Sequence, residues 1–177
     1  MKILSYKNYD LGVICENNKY LLFWDGIFSQ WYKTDFYIDK IKFNCAEQYM
    51  MYKKAILFND INIANKILKS NSPREQKKLG REVKKFKEDK WNSICRNIVY
   101  NGNYAKFTQN NDLLNCLKLT NDLILVEASP YDKIWGIGRS KDDHNACINR
   151  NWLGKNWLGF TLTKVRDNIK NERINNR

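Results

Sequence analysis

The feature that most constrains the fold is the stretch from residue 45 to about residue 120, which predicts a series of helices. Residues 46–58 contain no helix breaker and consist mostly of good helix formers. Ser72-Pro73-Arg74-Glu75 places a serine at the N-cap, a proline at the first helical position and a glutamate three residues after the cap, which indicates a helix start. Further helices are predicted over residues 61–68, from 88 to about 99, and around 113–117.

Short strands are predicted on either side of this helical stretch. Residues 20–24 are a strand candidate followed by the turn signal Asp25-Gly26, and residues 36–43 predict a hairpin or two short strands. Residues 123–127 form a short apolar run that predicts a buried strand. The sequence therefore predicts an α+β fold, dominated by helices and with a small sheet.

A last amphipathic helix is predicted over residues 157–170, with Leu158, Leu162, Val165 and Ile169 facing inward. The polar tail, residues 171–177, is expected to fray. No linker, repeat or break in composition divides the chain, so residues 1–177 are interpreted as a single domain.

We expect no signal peptide, and the sequence contains no apolar run of the roughly 20 residues that a membrane span requires. Its five cysteines have no C-x-x-C spacing, and we interpret them as reduced, mostly buried thiols. These features predict a cytoplasmic protein with no membrane partner. The cysteines are Cys15, Cys45, Cys95, Cys116 and Cys147.

One histidine, His144, is present in the whole chain, and its charged neighbours predict an exposed loop. Zinc sites need clustered thiolates or imidazoles, so we expect no metal site and no cofactor. Acid–base chemistry would then depend mainly on carboxylates.

The formal net charge is +12, which indicates an anionic partner such as phosphates or nucleic acid. The chain is also rich in Asn, Lys and Ile throughout, as an AT-biased coding sequence would make it. The charge is then either a functional basic surface or a diffuse one.

Glu47 opens a largely apolar helix, and Lys54 follows it two turns later on the same face, with Met50 and Met51 between them. A carboxylate and an ammonium on such a face can hold a water and a sugar or phosphate group. The alternative is a glutamate that interacts with the helix dipole and a solvated lysine.

A second group of candidates follows the predicted strand that ends at Glu127. A proline turn, Asp132, Trp135 and Gly136 come close behind it, and loops after strand ends are common ligand sites. Aromatic faces beside carboxylates suit a flat base and a sugar cation. The alternative is a structural turn with a core tryptophan.

Aromatic residues cluster around Gly26 and the polar pair Ser29-Gln30. Most large aromatic side chains belong to protein cores, but polar groups set between rings suit stacking on a base whose edge is hydrogen-bonded. The aromatics are Phe23, Trp24, Phe28, Trp31 and Tyr32, with Trp91, Trp152 and Trp157 further along the chain.

Several short motifs occur in a fixed order between roughly residues 20 and 170. They are Phe28-Ser29-Gln30-Trp31-Tyr32; Ala46-Glu47-Gln48-Tyr49-Met50-Met51 with Lys54-Ala55; Leu79-Gly80-Arg81 with Val83; Lys106-Phe107-Thr108-Gln109-Asn110; Glu127-Ala128-Ser129-Pro130-Tyr131-Asp132 with Trp135-Gly136-Ile137-Gly138; Asn156-Trp157-Leu158-Gly159; and Val165-Arg166. The ordered set resembles the NADAR family. The resemblance implies a YbiA-like α+β fold and a metal-independent N-glycosidase.

The resemblance also suggests roles for the candidate residues. Glu47 is expected to be the chief catalytic carboxylate, Asp132 the second choice and a ligand of ribose hydroxyls, and Glu127 a supporting acid. Lys54 and Arg81 are phosphate candidates. The remaining substrate-binding candidates are Gly26, Ser29, Gln30, Trp31, Trp91, Trp135, Gly136 and Asn156, of which Trp91 and Trp135 would stack on the substrate or exclude solvent.

Known activities of the family suggest two substrates. The basic charge favours removal of ADP-ribose from a modified nucleobase in nucleic acid over hydrolysis of phosphoribosylamino-pyrimidine intermediates of riboflavin synthesis. Arg139 replaces a commonly apolar residue beside the expected site, so substrate identity is the open question. A non-catalytic module that binds ADP-ribose or nucleic acid, and a plain nucleic-acid-binding protein, are the competing interpretations.

Overall fold

In the computed structural model, which describes residues 2–175 and the side chains of residues 2–172, the chain divides into two units. The first comprises the chain up to Ser29 and from Asn111 onward, and the second comprises Gln30–Asn110. The strands are β1 (Lys2–Tyr6), β2 (Tyr9–Ile14), β3 (Tyr20–Phe23), β4 (Phe36–Ile38), β5 (Ile41–Phe43) and β6 (Ile124–Glu127). The helices are α1 (Ala46–Leu57), α2 (Ile61–Lys69), α3 (Pro73–Arg81), α4 (Glu88–Thr108), α5 (Asn111–Leu119) and α6 (Trp157–Asn175).

The first unit is built on a four-stranded sheet with the strand order β1-β2-β3-β6. The first three strands are antiparallel, whereas β6 joins β3 in parallel, with Phe23 opposite Glu127. Helix α6 packs against β6 and buries Leu158, Leu162 and Val165 completely, as its amphipathic pattern predicts. The parallel pair therefore brings two strand ends, at Phe23 and Glu127, to one edge of the sheet.

Cys15 and Cys147 form a disulfide in the core of this unit, with their Cα atoms 5.7 Å apart. The prediction of reduced thiols is therefore wrong for these two residues and right for Cys45, Cys95 and Cys116, which are free and buried. A separation of 132 residues leaves no spacing signal in the sequence. Only the fold brings these two cysteines together.

The second unit contains the β4–β5 hairpin and four helices, with α1 packed against α2, α3 and α4. Asp39 and Lys40 form the hairpin turn with positive φ angles. Two glycines permit the close helix packing. A Cβ atom at Gly80 would collide with Met51, and one at Gly102 would lie 2.6 Å from the Tyr49 ring.

The described helices and small sheets confirm the predicted α+β, helix-dominated fold, and the hairpin over residues 36–43 is confirmed. Helix α4 runs to Thr108, beyond the predicted end near residue 99, and its Gly102 packs against the Tyr49 ring. Helix α6 continues to Asn175, beyond its predicted end at residue 170, and the last two residues of the tail lie outside the described range.

None of the helices in the described part of the chain is long and apolar enough to cross a membrane. The single domain and the cytoplasmic location stay predictions.

Candidate functional site

The residues predicted to act on a substrate fall in both units. The second unit carries Gln30, Trp31, Glu47, Lys54, Arg81 and Trp91. The first unit carries Gly26, Ser29, Glu127, Asp132, Trp135, Gly136 and Asn156.

Glu47 lies in the first turn of α1 with a side chain that is buried, since the residue is only 5% exposed. Its backbone N–H donates to the carbonyl of Gln30 at 2.9 Å. Cys45 is the N-cap of this helix, and its sulfur accepts from the backbone N–H of Gln48. Glutamate is rarely buried in a protein, so this position is unusual for a side chain that serves only to cap a helix.

Hydrogen bonds from two buried glutamine side chains hold the start of α1 in place. Gln48 Nε2 donates to the carbonyls of Ile67 (2.9 Å) and Ser70 (3.1 Å), and its Oε1 accepts from the backbone N–H of Asn44 (2.8 Å). Gln76 Nε2 donates to the same Ser70 carbonyl and to Asn44 Oδ1. The backbone beside Glu47 is therefore fixed by buried hydrogen bonds, which rigidify a site.

Lys54 lies two turns after Glu47, and its ammonium donates to the carbonyl of Gly80 at 2.8 Å. The same ammonium lies 4.2 Å from the centre of the Phe86 ring and 5.8 Å from that of Trp91. Burial lowers the pKa of Lys54, the charge of Arg81 lowers it further, and the charge of Glu47 opposes both. Lys54 is thus within electrostatic reach of both Arg81 and Glu47, and the helix spacing predicts its proximity to Glu47.

Lys106 is a buried cation to which the sequence assigned no role. It is fully buried in α4, and its ammonium lies 5.6 Å from the Tyr32 ring and 5.2 Å from the Phe107 ring. Burial lowers its pKa to about 7, against a smaller opposing effect of Cys45. Its place in the motif Lys106-Phe107-Thr108-Gln109-Asn110 was the only available signal, because sequence alone does not show burial.

Gln30 and Trp31 differ in what they offer a ligand. Gln30 is buried, and its Oε1 accepts from Asn103 Nδ2 at 2.8 Å. Trp31 is 43% exposed, with the ammonium of Lys77 at 5.9 Å from its ring. The side-chain oxygen of Gln30, expected to bond a base, is therefore hydrogen-bonded to Asn103 in the same unit, whereas the Trp31 ring is open to solvent.

In the first unit, Asn156 holds the end of β6. It is completely buried with φ of 51°, its Oδ1 accepts from the backbone N–H of Glu127 (2.9 Å), and its Nδ2 donates to the carbonyl of Leu125 (3.0 Å). The oxygen and the nitrogen of the side-chain amide are thus both hydrogen-bonded to the backbone of β6. The structure thus gives Asn156 a structural role, and a direct contact with substrate stays a prediction.

Asp132 organises the turn that follows β6. Its Oδ1 accepts from the backbone N–H groups of Ile134 and Trp135, both at 2.8 Å, and Ser129 Oγ accepts from the backbone N–H of Asp132 at 3.2 Å. Gly136 is needed here because a Cβ atom would lie 2.9 Å from the carbonyl oxygens of Asp132 and Glu127. Asp132 thus has a structural task in addition to any role on substrate.

The other candidates of this unit flank the same strand ends. Glu127 is half-buried at the end of β6, and the Trp135 ring packs edge-on against Trp157 at 5.7 Å. Gly26 has φ of 69°, a conformation that favours glycine, and its carbonyl accepts from the backbone N–H of Ser29. Among the described residues, no group of three or more His, Cys, Asp or Glu side chains could hold a metal ion.

Comparison with known proteins decides the family. The model of the NADAR domain matches residues 22–170, which include every candidate described above. The chain belongs to the NADAR family.

Two NADAR relatives and one solved structure show the extent of the likeness. The protein irg-1 of Caenorhabditis elegans is 45% identical over 131 residues, which are 73% of this chain and 62% of irg-1. An N-glycosidase of Acanthamoeba polyphaga mimivirus is 39% identical over 165 residues, which are 86% of this chain and 97% of the viral protein. The NMR structure of YbiA from E. coli superposes with a TM-score of 0.74 at 24% identity, covering 93% of this chain and 91% of YbiA, and confirms the predicted YbiA-like fold.

Proposed function

We propose that this NADAR protein is an N-glycosidase that hydrolyses a ribose C1–N bond, removing ADP-ribose from a modified nucleobase in nucleic acid. The observation that carries the proposal is the burial of Glu47 beside the half-buried Lys54 on one face of α1. The name of the mimivirus relative supports the glycosidase chemistry.

Glu47 suits the chemistry of the reacting carbon. Cleavage of the C1–N bond builds positive charge on the ribose, and a buried carboxylate stabilises such charge more strongly than a solvated one. Water then forms the new bond to C1, its proton passes to the Glu47 carboxylate, and the departing base nitrogen takes a proton from solvent. General-base assistance of this kind is worth about 10² to 10⁴ in rate.

Lys54 and Arg81 suit the phosphate groups of the substrate. The charge of Arg81 lowers the pKa of Lys54, and an anion between the two cations would relieve their repulsion. The aromatic rings of Phe86 and Trp91 at Lys54 limit its hydration. Asp132 and Glu127 are the next candidates for the catalytic acid if Glu47 does not carry the reaction.

The net charge of +12 favours the nucleic-acid substrate. Salt screens the attraction between a polyanion and a basic protein. The affinity for DNA should therefore fall as the salt concentration rises. The smaller phosphoribosylamino-pyrimidine remains the alternative substrate, and a module that binds ADP-ribose without turnover is the non-catalytic alternative.

The test is incubation with an oligonucleotide carrying ADP-ribosylated guanine and, separately, with a phosphoribosylamino-pyrimidine. Release of free ADP-ribose from the oligonucleotide, with kcat/KM falling as salt rises, is the expected result. Turnover of the pyrimidine alone, or salt-independent kcat/KM on the oligonucleotide, would contradict the proposed substrate. Binding of both without turnover would contradict the enzymatic proposal.

A further inference from the structure

Two aromatic side chains lie at the sheet edge where β3 and β6 end. The strands pair in parallel, with Phe23 opposite Glu127, and the pairing continues past the strands because Ala128 N–H donates to the Phe23 carbonyl at 2.6 Å. Trp24 follows Phe23 directly, and Tyr131 lies in the turn after Glu127. Their ring centres are 6.1 Å apart with an angle of 48° between the planes.

Both rings are open to solvent. Trp24 is 43% exposed and Tyr131 is 85% exposed, whereas the neighbouring Phe23 and Phe28 are buried in the core. Large aromatic side chains gain much free energy from burial, so an exposed pair in contact indicates a binding surface.

The backbone that presents Tyr131 is held by hydrogen bonds. Ser129 Oγ accepts from the backbone N–H groups of Tyr131 (3.4 Å) and Asp132 (3.2 Å), and Asp132 Oδ1 accepts from those of Ile134 and Trp135. A ring on a fixed backbone loses little conformational entropy when a ligand stacks on it.

Two lysines flank the same turn. Lys133 and Lys155 are exposed, and the backbone N–H of Lys155 donates to the carbonyl of Lys133 at 3.0 Å. Asp25 and Asp132 are also near, so charge alone would not select an anion here. Aromatic faces that give stacking energy, with lysines that reach a phosphate backbone, are the combination used by proteins that bind single-stranded nucleic acid.

We propose that Trp24 and Tyr131 form a stacking platform for unpaired bases of a nucleic-acid strand. The inference rests on the proposed function in one respect: the strand held here is the one that carries the modified base. Stacking is tolerant of sequence because every base has a π face, so the platform recognises single-strandedness instead of a particular base.

The experiment measures the dissociation constant of an unmodified, fluorescently labelled oligothymidylate of about 12 nucleotides, a length within the span of one single-strand-binding domain. Trp24→Ala and Tyr131→Ala should each weaken binding by between about 5-fold and 150-fold, which corresponds to the stacking energy of one base. Tyr131→Phe keeps the ring and should bind like the wild type.

Tyr37→Ala is the matched control, because Tyr37 is a 54% exposed tyrosine on β4 in the other unit and should leave binding unchanged. Thermal melts of all variants exclude unfolding as the cause of a loss. A duplex of the same length should bind at least about 5-fold more weakly than the single strand, because its bases are already stacked.

The outcomes separate this inference from the proposed function. Weaker single-strand binding in both alanine variants supports the platform even if the protein releases no ADP-ribose. Alanine variants that bind like the wild type, a wild type that does not bind the oligonucleotide, or equal affinity for duplex and single strand would each overturn the platform, whatever the glycosidase assay shows.

Discussion

The backbone N–H of Glu47 donates to the carbonyl of Gln30 at 2.9 Å. This bond joins the segment that carries Trp31 to the first turn of α1, so the buried Glu47 and the exposed Trp31 are connected within the second unit. The sequence separates these residues by a hairpin, and the fold brings them together.

Asn156 should contribute strongly to stability. Asn156→Gly keeps the positive φ accessible but leaves the buried Glu127 N–H and Leu125 carbonyl without their bonds. We expect a loss of about 2 to 4 kcal/mol in the free energy of unfolding, since each unsatisfied buried group costs about 1–3 kcal/mol. Denaturant unfolding measures it, with the exposed Asn101→Gly in α4 as the control for the backbone freedom that glycine adds to the unfolded chain, a cost of at most about 1 kcal/mol. Equal losses in both variants would show that the two hydrogen bonds contribute nothing.

Asp132 should tolerate asparagine better than alanine. Asn keeps an Oδ1 that accepts from Ile134 and Trp135, whereas Ala removes both bonds and should cost about 1–3 kcal/mol by denaturant unfolding. If Asp132 also binds ribose hydroxyls, Asp132→Asn should raise KM as well as lower kcat while its stability stays near wild type. Unchanged kinetics in this variant would leave Asp132 with its structural role alone.

The sequence predicted the helices that carry clear start signals or long apolar faces, such as α3 with Ser72 and Pro73. It could not predict the parallel pairing of β3 with β6, because strand order depends on contacts between distant segments. The stacking platform follows from that pairing, and for the same reason Tyr131 was not among the predicted site residues. The burial of Lys106 was also hidden, because lysine is a surface residue on average.

Lys106 should make stability depend on pH. Its pKa is about 7 in the folded protein and near 10.5 when unfolded, so the unfolded chain binds more protons between these values. Lys106 should therefore add stability as the pH rises from 7 to 8.5, by at most about 1.4 kcal/mol for each pH unit. Cys45 has the opposite effect in the upper part of this window, because burial raises its pKa from an ordinary value near 9 to about 11, so the contribution of Lys106 is the difference between the wild type and a variant without the ammonium.

Lys106→Met should remove this rise, as measured by urea unfolding at several pH values. Lys53→Met, a less buried lysine on α1, should keep the wild-type slope. A Lys106→Met protein whose stability still rises as steeply as the wild type between pH 7 and 8.5 would contradict the lowered pKa.

The disulfide predicts a simple thiol count. In denaturant without a reducing agent, the three free cysteines, Cys45, Cys95 and Cys116, should react with a thiol reagent, and after reduction all five cysteines should react. Cys147→Ser should then show four reactive thiols before reduction, because Cys15 loses its partner. Five reactive thiols in the unreduced wild type would show that the bond is absent.

The measurement that tests the central claim most directly is the kcat of Glu47→Gln on the substrate that the wild type hydrolyses. Glutamine keeps the size of the side chain but removes the charge and the basicity, so transition-state stabilisation should be lost while substrate binding and the thermal melt stay near wild type. Glu88→Gln, an exposed acid in the first turn of α4, is the matched control and should keep full activity. The account predicts a fall in kcat of about 100-fold or more. A Glu47→Gln protein that retains more than about a tenth of the wild-type kcat, less than the smallest typical general-base effect, would contradict it.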